Sequence, residues 1–395
     1  MVSADLVLIT LCCLADDAGD DEEKDLKGTK LRPVSINDVI THMTVLSPHS
    51  KEDINIKLKN CINVLKGDLA AIERVAKEMT EDNSQNGVKY FEVGVDPGKF
   101  VSKSEESEES VSVTEVVRAV LKGLKEGEEQ CGTRGGVLVQ VEKGRTEEAK
   151  ELLTICEELR TEGVVGLELT SNQTVINTEI AGDSGTVESL LFSADDIAFM
   201  AEAKERKIRR SVQAGEFGPP EMVFQALEKL KADRIVFGYN VTEDPSLYHD
   251  CKTNKIHFVT SPSLSLLTGS VPLSRHYHPI VQLSEDNLEW SLSSGAPVIT
   301  GGWTVQEVEL LLSWGLQETD IAQATFAAAR AAFCNDQDKK ELMKELRKVF
   351  GIEDKVELEV NKDKNNSKSN YLFQIFINHK CGQPDDPRKV LKTSF

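Results

Sequence analysis

The chain has 395 residues, with 66 acidic against 46 basic side chains and a formal net charge of −20. A chain of this length can bury a large core without disulfides, and 39% hydrophobic with 28% charged residues is typical of a globular protein. The acidic balance argues against a nucleic-acid partner, because binding phosphates requires clustered Lys and Arg. We expect neither a nucleic-acid nor a membrane partner.

The first apolar run is LVLITLCCLA at residues 6–15. Ten residues are too few to span a bilayer. The run resembles the apolar core of a signal peptide, but no Lys or Arg precedes it and Asp5 stands where that region is positive. We interpret residues 6–14 as a buried first strand, with a signal peptide as the open alternative.

Short β-rich runs then alternate with stretches that have the 3–4 apolar spacing of helices. The predicted strands after the first are residues 88–93, 136–141, 164–169, 208–214, 234–239, 256–261 and 290–294. The helices predicted between them are residues 68–80, 116–127, 146–159, 194–205, 222–230 and 245–251, and residues 305–350 form a helix-rich end.

Eight strands separated by helices predict a parallel sheet that can close into a barrel. The alternative is an open doubly wound sheet, which usually has a Gly-rich turn after its first strand. Here the first run continues into ADDAGDDEE, so the α/β class with a (β/α)8 TIM-type barrel and additional helices is favoured. We assign the barrel to residues 1–350 and a C-terminal β-like extension to residues 351–395.

Two polar segments lie outside the repeat. Residues 102–112 (SKSEESEESVS) form an acidic serine-rich loop, which is either solvated or phosphorylated. The extension holds two β-like runs, KVELEV and YLFQIFINH, which predict a hairpin. The hairpin either packs on the barrel or binds a partner, and we expect a protein partner to bind through residues 351–395.

The eight cysteines are scattered and contain no C-x-x-C pair. This pattern is typical of reduced, buried thiols and predicts a cytoplasmic protein.

Active sites of such barrels lie at the carboxyl ends of the strands. The motifs found there and along the chain are YFEV at 90–93, VQAGE at 212–216, GYNVTEDPSLY at 238–248, HFVTSPSLSLLTG at 257–269 and WSLSSGAP at 290–297. In this order they resemble the adenosine deaminase family over about residues 5–350. The resemblance implies a barrel descended from a zinc-dependent hydrolase.

The resemblance also implies where a zinc site should lie. In the family, zinc is held by two His in an H-x-H, a His in HAGE and an Asp in an SLNTDDP-like motif. Those four positions are here occupied by Leu11, Cys13, Gln213 and Gly295. Because catalytic zinc needs about three His, Cys or carboxylate ligands, we expect no zinc and no other cofactor.

The catalytic positions are only partly retained. Glu216 matches the proton-transfer carboxylate of the family, whereas Phe237 stands in place of the His that polarises the attacking water. The Gly that contacts substrate aligns with Ser171, and Gly182 is a competing match.

These changes predict a catalytically inactive pseudoenzyme in which Glu216 is vestigial and which acts as a structural or binding protein. Two alternatives stay open. One is a deaminase-type hydrolase with a relocated site that uses Glu216 and Cys13. The other is a purine-binding module without catalysis.

Overall fold

The computed structural model describes residues 43–45, 51–101, 110–146, 149–171, 191–271 and 278–352. The chain divides into two compact units, residues 1–344 and 345–395. The predicted first strand, most of the acidic loop and all but two residues of the C-terminal extension lie outside the described residues. The domain boundary at residue 350 and the partner-binding role of the extension stay predictions.

The sheet has seven described strands, all parallel and ordered as they follow in the chain. They are β1 Tyr90–Val95, β2 Arg134–Glu142, β3 Val164–Thr170, β4 Arg210–Ala214, β5 Arg234–Phe237, β6 His257–Thr260 and β7 Glu289–Leu292. Each strand pairs with the next one along the chain, which is the order of a TIM-type barrel. The predicted α/β barrel class is confirmed.

Helices precede the sheet, connect its strands and follow it. They are α1 Lys51–Leu65, α2 Leu69–Gln85, α3 Val113–Cys131, α4 Lys150–Glu158, α5 Ala194–Glu205, α6 Glu221–Glu228, α7 Pro245–Thr253, α8 Pro262–Leu267, α9 Pro279–Glu285, α10 Pro297–Thr300, α11 Thr304–Ser313, α12 Glu318–Ala331 and α13 Asp336–Val349.

Local chemistry defines where the helices begin. Ser112 and Glu115 form a capping box at the start of α3, and Ser193 with Asp196 forms the same motif at α5. The Asp196 carboxylate is fully buried and also accepts hydrogen bonds from the Gly144 amide at 2.9 Å and the Thr146 hydroxyl at 3.3 Å. One side chain therefore joins the start of α5 to the segment after β2.

The core lies between the sheet and the helices, and most of it is Val, Leu and Ile. Small residues allow the closest helix contact. A Cβ atom at Gly123 would lie 2.0 Å from the Glu73 carbonyl oxygen, so α2 and α3 approach each other at backbone distance. The same closeness at Gly127, whose Cβ would lie 2.5 Å from Thr80, explains why α3 carries two glycines in its interior.

Four helices were not predicted from the sequence: α1, α8, α9 and α10. The last three have six, seven and four residues and begin at proline, so they are too short for a 3.6-residue period to show. Strand β5 ends two residues earlier than predicted because Phe237 and Gly238 both have positive φ, +69° and +68°. Consecutive left-handed residues cannot continue an extended strand.

Candidate functional site

The candidate site lies at the carboxyl ends of β3 to β7, an edge that we call the mouth. Ser171 follows β3, and Phe237 is the last residue of β5. Glu216 comes two residues after β4, Ser261 directly follows β6, and Gly295 comes three residues after β7. Because parallel strands end at the same edge, five consecutive strands bring these residues to one place.

Glu216 is the acidic residue of the mouth that the sequence singled out. It is only 7% exposed, and the Thr268 hydroxyl donates to its Oε1 at 3.5 Å. Gly215 before it has φ +69°, and a Cβ there would lie 2.7 Å from Val223. The glycine therefore permits the tight turn that places Glu216 at the strand end.

Gln213 is held by hydrogen bonds to its neighbours in the barrel interior. Its Nε2 donates to Glu168 Oε1 at 3.1 Å, and its Oε1 accepts from the Ser171 amide at 3.4 Å. Glu168 also accepts from Gln140 Nε2 at 2.9 Å and from the Ser211 hydroxyl at 3.1 Å. The Gln140, Glu168 and Ser211 side chains and the Ser171 amide thus fix the carboxyl end of β4, where Gln213 lies.

The Ser211 hydroxyl connects Glu168 to further polar residues toward the amino ends of the strands. Arg234 Nε donates to the Ser211 hydroxyl at 3.3 Å, and the guanidinium pairs with the Glu92 carboxylate. Glu92 also accepts from the Phe333 amide, and the Phe333 ring lies 4.0 Å from the Arg234 guanidinium carbon. We call Glu92, Gln140, Glu168, Ser211, Gln213 and Arg234 the barrel network.

Phe237 brings an aromatic ring and no hydrogen-bonding atom to the mouth. It is buried in an apolar cluster with Val236, Tyr239 and Val271. The centroids of the Phe237 and Tyr239 rings are 5.9 Å apart. A bulky residue at positive φ is strained, and such strain is typical of functional sites.

Tyr239 and Ser261 are joined through the backbone of Ser261. The Ser261 amide donates to the Tyr239 hydroxyl at 3.0 Å, and that hydroxyl donates to the Ser261 carbonyl at 3.3 Å. Burial raises the pKa of Tyr239 well above its usual value, so the phenol stays protonated. Within the described residues the Ser261 Oγ has no hydrogen-bond partner, although Ser261 is only 1% exposed.

Gly295 leaves no space for a larger side chain. Its φ is +65°, and a Cβ would lie 2.5 Å from the Ser261 Oγ and 3.0 Å from Leu264 Cδ2. An Asp at this position would therefore displace its neighbours.

The described residues at the aligned zinc positions do not fit a zinc ion. Gln213 offers an amide that is already hydrogen-bonded, and Gly295 offers no side chain. Over the described ranges no group of three or more His, Cys, Asp or Glu side chains could hold a metal. Leu11 and Cys13, and the alternative substrate position Gly182, lie outside the described residues.

A second buried carboxylate belongs to Glu307 on α11. Its Oε2 accepts a hydrogen bond from the Ser263 amide at 3.0 Å, and it is only 1% exposed. Burial raises the pKa of Glu307 to about 7, and the hydrogen bonds from Ser263 limit that rise. This group titrates near neutral pH.

A buried Ser–His pair also lies beside the mouth but is not arranged for nucleophilic attack. His278 Nδ1 accepts from the Ile280 amide at 3.2 Å, so Nε2 carries the proton and donates to the Ser265 hydroxyl at 2.8 Å. The Ser265 hydroxyl in turn donates to the Pro262 carbonyl at 2.6 Å. His278 therefore cannot accept the serine proton.

Comparison with known proteins agrees with the motifs at the strand ends. The sequence profile described as adenosine deaminase matches residues 33–349. The chain belongs to the adenosine deaminase family. An adenosine deaminase from Xenopus laevis is 28% identical over 331 residues, which covers 82% of this chain and 88% of that protein.

Two solved structures share the fold. An adenine deaminase from Arthrobacter aurescens has a TM-score of 0.69 at 19% identity and covers 89% of this chain and 97% of its own. An amidohydrolase from Burkhoderia ambifaria with bound Zn has a TM-score of 0.71 at 17% identity and covers 89% of each chain.

These comparisons contradict two predictions. The prediction that the chain is not an enzyme is wrong, because relatives across most of its length are named as deaminases. The prediction of no cofactor is also wrong, because the chain belongs to the adenosine deaminase family and an amidohydrolase that shares its fold was solved with bound Zn. Both errors share one cause. Both predictions were inferred mainly from the side chains at the four aligned zinc positions, of which Leu11 and Cys13 lie outside the described residues.

Ser261, Tyr239 and Glu307 were not singled out as site residues from the sequence. Ser261 lies inside the motif HFVTSPSLSLLTG, which has serine at three alternate positions, 261, 263 and 265. This spacing is the sequence feature that could have identified Ser261. Nothing in the sequence marks Glu307, since its contact with Ser263 joins residues 44 positions apart.

In the described part of the chain no helix is long and apolar enough to cross a membrane.

Proposed function

We propose that this chain is a hydrolase of the adenosine deaminase class, with a site built around Glu216 that differs from the aligned metal positions. The observation that carries the proposal is the position of Glu216. This carboxylate is buried at the carboxyl end of β4, in the one catalytic motif position that the chain retains. Family membership over residues 33–349 supports the reaction class.

The reaction replaces the amino group of a purine with an oxygen from water and releases ammonia. A carboxylate in this place takes a proton from the attacking water and passes it to the departing amine. Such proton transfer contributes about 10²–10⁴-fold to a rate. The Thr268 hydroxyl donates to Glu216 Oε1 at 3.5 Å and so helps to orient this carboxylate.

The site is relocated rather than retained, because Gln213 and Gly295 do not supply zinc donors. Cys13, which the sequence places two residues from Leu11, has a thiolate-forming side chain and is the aligned position with a competent donor. We therefore include Cys13 with Glu216 as the residues on which activity depends. We derive no catalytic step through a metal from the residues described.

The test is ammonia release from adenosine and from adenine by the purified full chain, with and without added zinc. We expect ammonia from at least one purine, and a loss of about 10²-fold or more in kcat for Glu216→Gln. Glu228→Gln is the matched control, since Glu228 lies on α6 away from the strand ends and is exposed. It should leave the rate unchanged.

Cys13→Ala tests the second residue in the same assay, together with elemental analysis of the protein for zinc. We expect both the rate and the bound metal to fall in Cys13→Ala. The absence of ammonia from both purines, under every metal condition, would contradict the proposed function.

We also propose a cytoplasmic location. The five cysteines in the described part of the chain are free thiols, which supports a reducing compartment.

A further inference from the structure

The edge of the sheet opposite the mouth carries many basic side chains. The segments that lead into β4, β5 and β6 are residues 204–210, 229–234 and 252–256, and together they contain ten Lys and Arg against two acidic residues. The whole chain has a net charge of −20. These segments therefore form a region whose charge is opposite in sign to that of the molecule, and such a region attracts anionic ligands.

Three lysines in these segments have a backbone conformation that lysine rarely adopts. Lys207, Lys231 and Lys255 have φ of +57°, +53° and +52°. Each lies between the end of a helix and the next strand, where a left-handed residue is commonly glycine or asparagine. This conformation is strained for a residue with a Cβ atom. Lysine thus stands at three positions where glycine would fold more easily, which indicates a role for the side chain.

The three lysines follow one another along the edge of the sheet. Strands β4, β5 and β6 are adjacent and parallel, so their amino ends share an edge, and neighbouring strands are about 4.8 Å apart. In the described structure all three lysines are exposed. We call Lys207, Lys231 and Lys255 the lysine row. Like charges in such a row repel one another, and a bound anion relieves that repulsion.

Arg210 fixes the two segments that carry Lys207 and Lys231. Its guanidinium donates to the Ile208 carbonyl at 2.8 Å and to the Lys231 carbonyl at 2.9 Å, and it pairs with Asp233 at 3.1 Å. Arg210 itself is only 8% exposed. The backbone of the row is therefore held in place before a ligand arrives, which lowers the entropy lost on binding.

Acidic side chains compensate the lysine row only in part. Lys231 pairs with Glu228 at 3.2 Å, and the two side chains are 47% and 60% exposed. Exposed pairs of this kind contribute little, so Lys231 can exchange its partner. Among the described residues, Lys207 and Lys255 form no ion pair. The row is thus available to an anion from outside the protein.

We propose that the lysine row binds an acidic segment of a partner protein, a short run rich in Glu and Asp. In an extended segment the side chains on one face repeat about every 7 Å, a spacing that flexible lysine side chains can match. The acidic remainder of the chain favours a short segment, because a nucleic acid or an anionic membrane extends beyond the row and is repelled there. The inference is independent of the proposed function, since Glu216 lies at the opposite ends of the strands.

The test is fluorescence anisotropy of a labelled octaglutamate peptide with the purified full chain at low salt. The parent should bind the peptide. The triple variant with Lys207→Gln, Lys231→Gln and Lys255→Gln should bind it about tenfold more weakly, because three charge pairs are lost. An absence of binding by the parent would overturn the inference.

A second triple variant is the matched control. It has Lys59→Gln, Lys66→Gln and Lys125→Gln, three exposed lysines on or directly after α1 and on α3. The net charge changes by the same amount as in the first variant, so long-range attraction is matched. The control should keep the affinity of the parent, and equal weakening in both triple variants would overturn the assignment to the lysine row.

Glycine at the same positions separates the charge from the backbone strain. Lys207→Gly, Lys231→Gly and Lys255→Gly should each keep or raise the Tm, because glycine adopts a positive φ without strain. Each should also weaken peptide binding. A lower Tm in all three variants would show that the lysines serve the stability of the fold and would overturn their role in binding a partner.

Other polyanions identify the class of partner. Octaglutamate binding should weaken as NaCl is raised from about 50 to 200 mM, because salt screens the attraction. An oligothymidylate and vesicles that contain phosphatidylserine should bind more weakly than the peptide. Tighter binding of either one than of octaglutamate would overturn the assignment to a protein segment.

Discussion

Glu307 is a buried residue at which burial opposes charge. Burial raises its pKa to about 7 from the usual 4.5. The folded chain therefore keeps a proton that the unfolded chain releases between about pH 4.5 and 7. The free energy of unfolding must fall as the pH rises through this window and become independent of Glu307 above it.

Glu307→Gln should remove this dependence. The amide stays neutral and can still accept from the Ser263 amide, so at pH 8 the variant should be more stable than the parent by up to about 3 kcal/mol. Urea unfolding of both proteins at pH 5 and pH 8 measures the difference. A parent whose advantage over the variant grows with pH would show that the carboxylate is charged in the folded state.

Gly295 and Gly269 separate the effects of conformation and crowding. Both have positive φ, +65° and +71°, but a Cβ at Gly269 meets no atom within 4 Å in the described structure. Gly269→Ala should cost about 1–2 kcal/mol from the backbone alone. Gly295→Ala should cost about 1–3 kcal/mol more, because the Ser261 hydroxyl must move. If denaturant unfolding shows equal losses of unfolding free energy in Gly269→Ala and Gly295→Ala, the Ser261 hydroxyl moves aside without cost.

At the scale of single elements, we expect the buried cap of α5 to contribute more to the free energy of unfolding than the exposed cap of α3. Asp196 accepts at four points, from Gly144, Thr146 and the amide and hydroxyl of Ser193. Asp196→Asn turns one acceptor into a donor that faces other donors, and should lower the free energy of unfolding by about 2–3 kcal/mol.

Glu115→Gln is the matched variant of that cap, because Glu115 has the same position in α3 but is solvent-exposed. Water can satisfy its amide, so we expect a smaller loss of unfolding free energy than in Asp196→Asn. A larger loss in Glu115→Gln than in Asp196→Asn, measured by thermal unfolding, would contradict the effect of burial.

The sequence predicts these elements well where the signal is local. Helix α5 was predicted over residues 194–205, which is its observed range, and the structure shows Ser193 capping its start. The seven described strands were predicted within two residues of their bounds, since β-rich runs alternate with helices.

The candidate site could be predicted only in part. The position of Glu216 followed from its motif, whereas the bonds of Gln213 did not. The contact between Gln213 and Glu168 joins residues 45 positions apart. In the sequence, Glu168 is a single polar residue in a predicted strand, and nothing indicates its partner. The unpaired state of the Ser261 hydroxyl depends on what surrounds it, which no local pattern records.

For the whole molecule, the net charge of −20 is the dominant electrostatic feature. Like charges repel more in the compact folded chain than in the expanded one, and salt screens this repulsion with a Debye length of about 10 Å at 0.1 M. The Tm should therefore rise by a few degrees between 10 and 200 mM NaCl. The same concentrations of a neutral solute are the control, and a Tm that falls with salt would show that attractive ion pairs dominate instead.

The barrel network also constrains how this chain can change during evolution. Glu168 serves Gln140, Ser211 and Gln213, which come from the two strands beside it in the sheet. Replacing one of these residues alone leaves the others with unsatisfied groups in the interior. We expect these positions to vary in concert among descendants of the chain, so that lineages inherit whole sets of them, and their joint pattern should trace ancestry better than any single position.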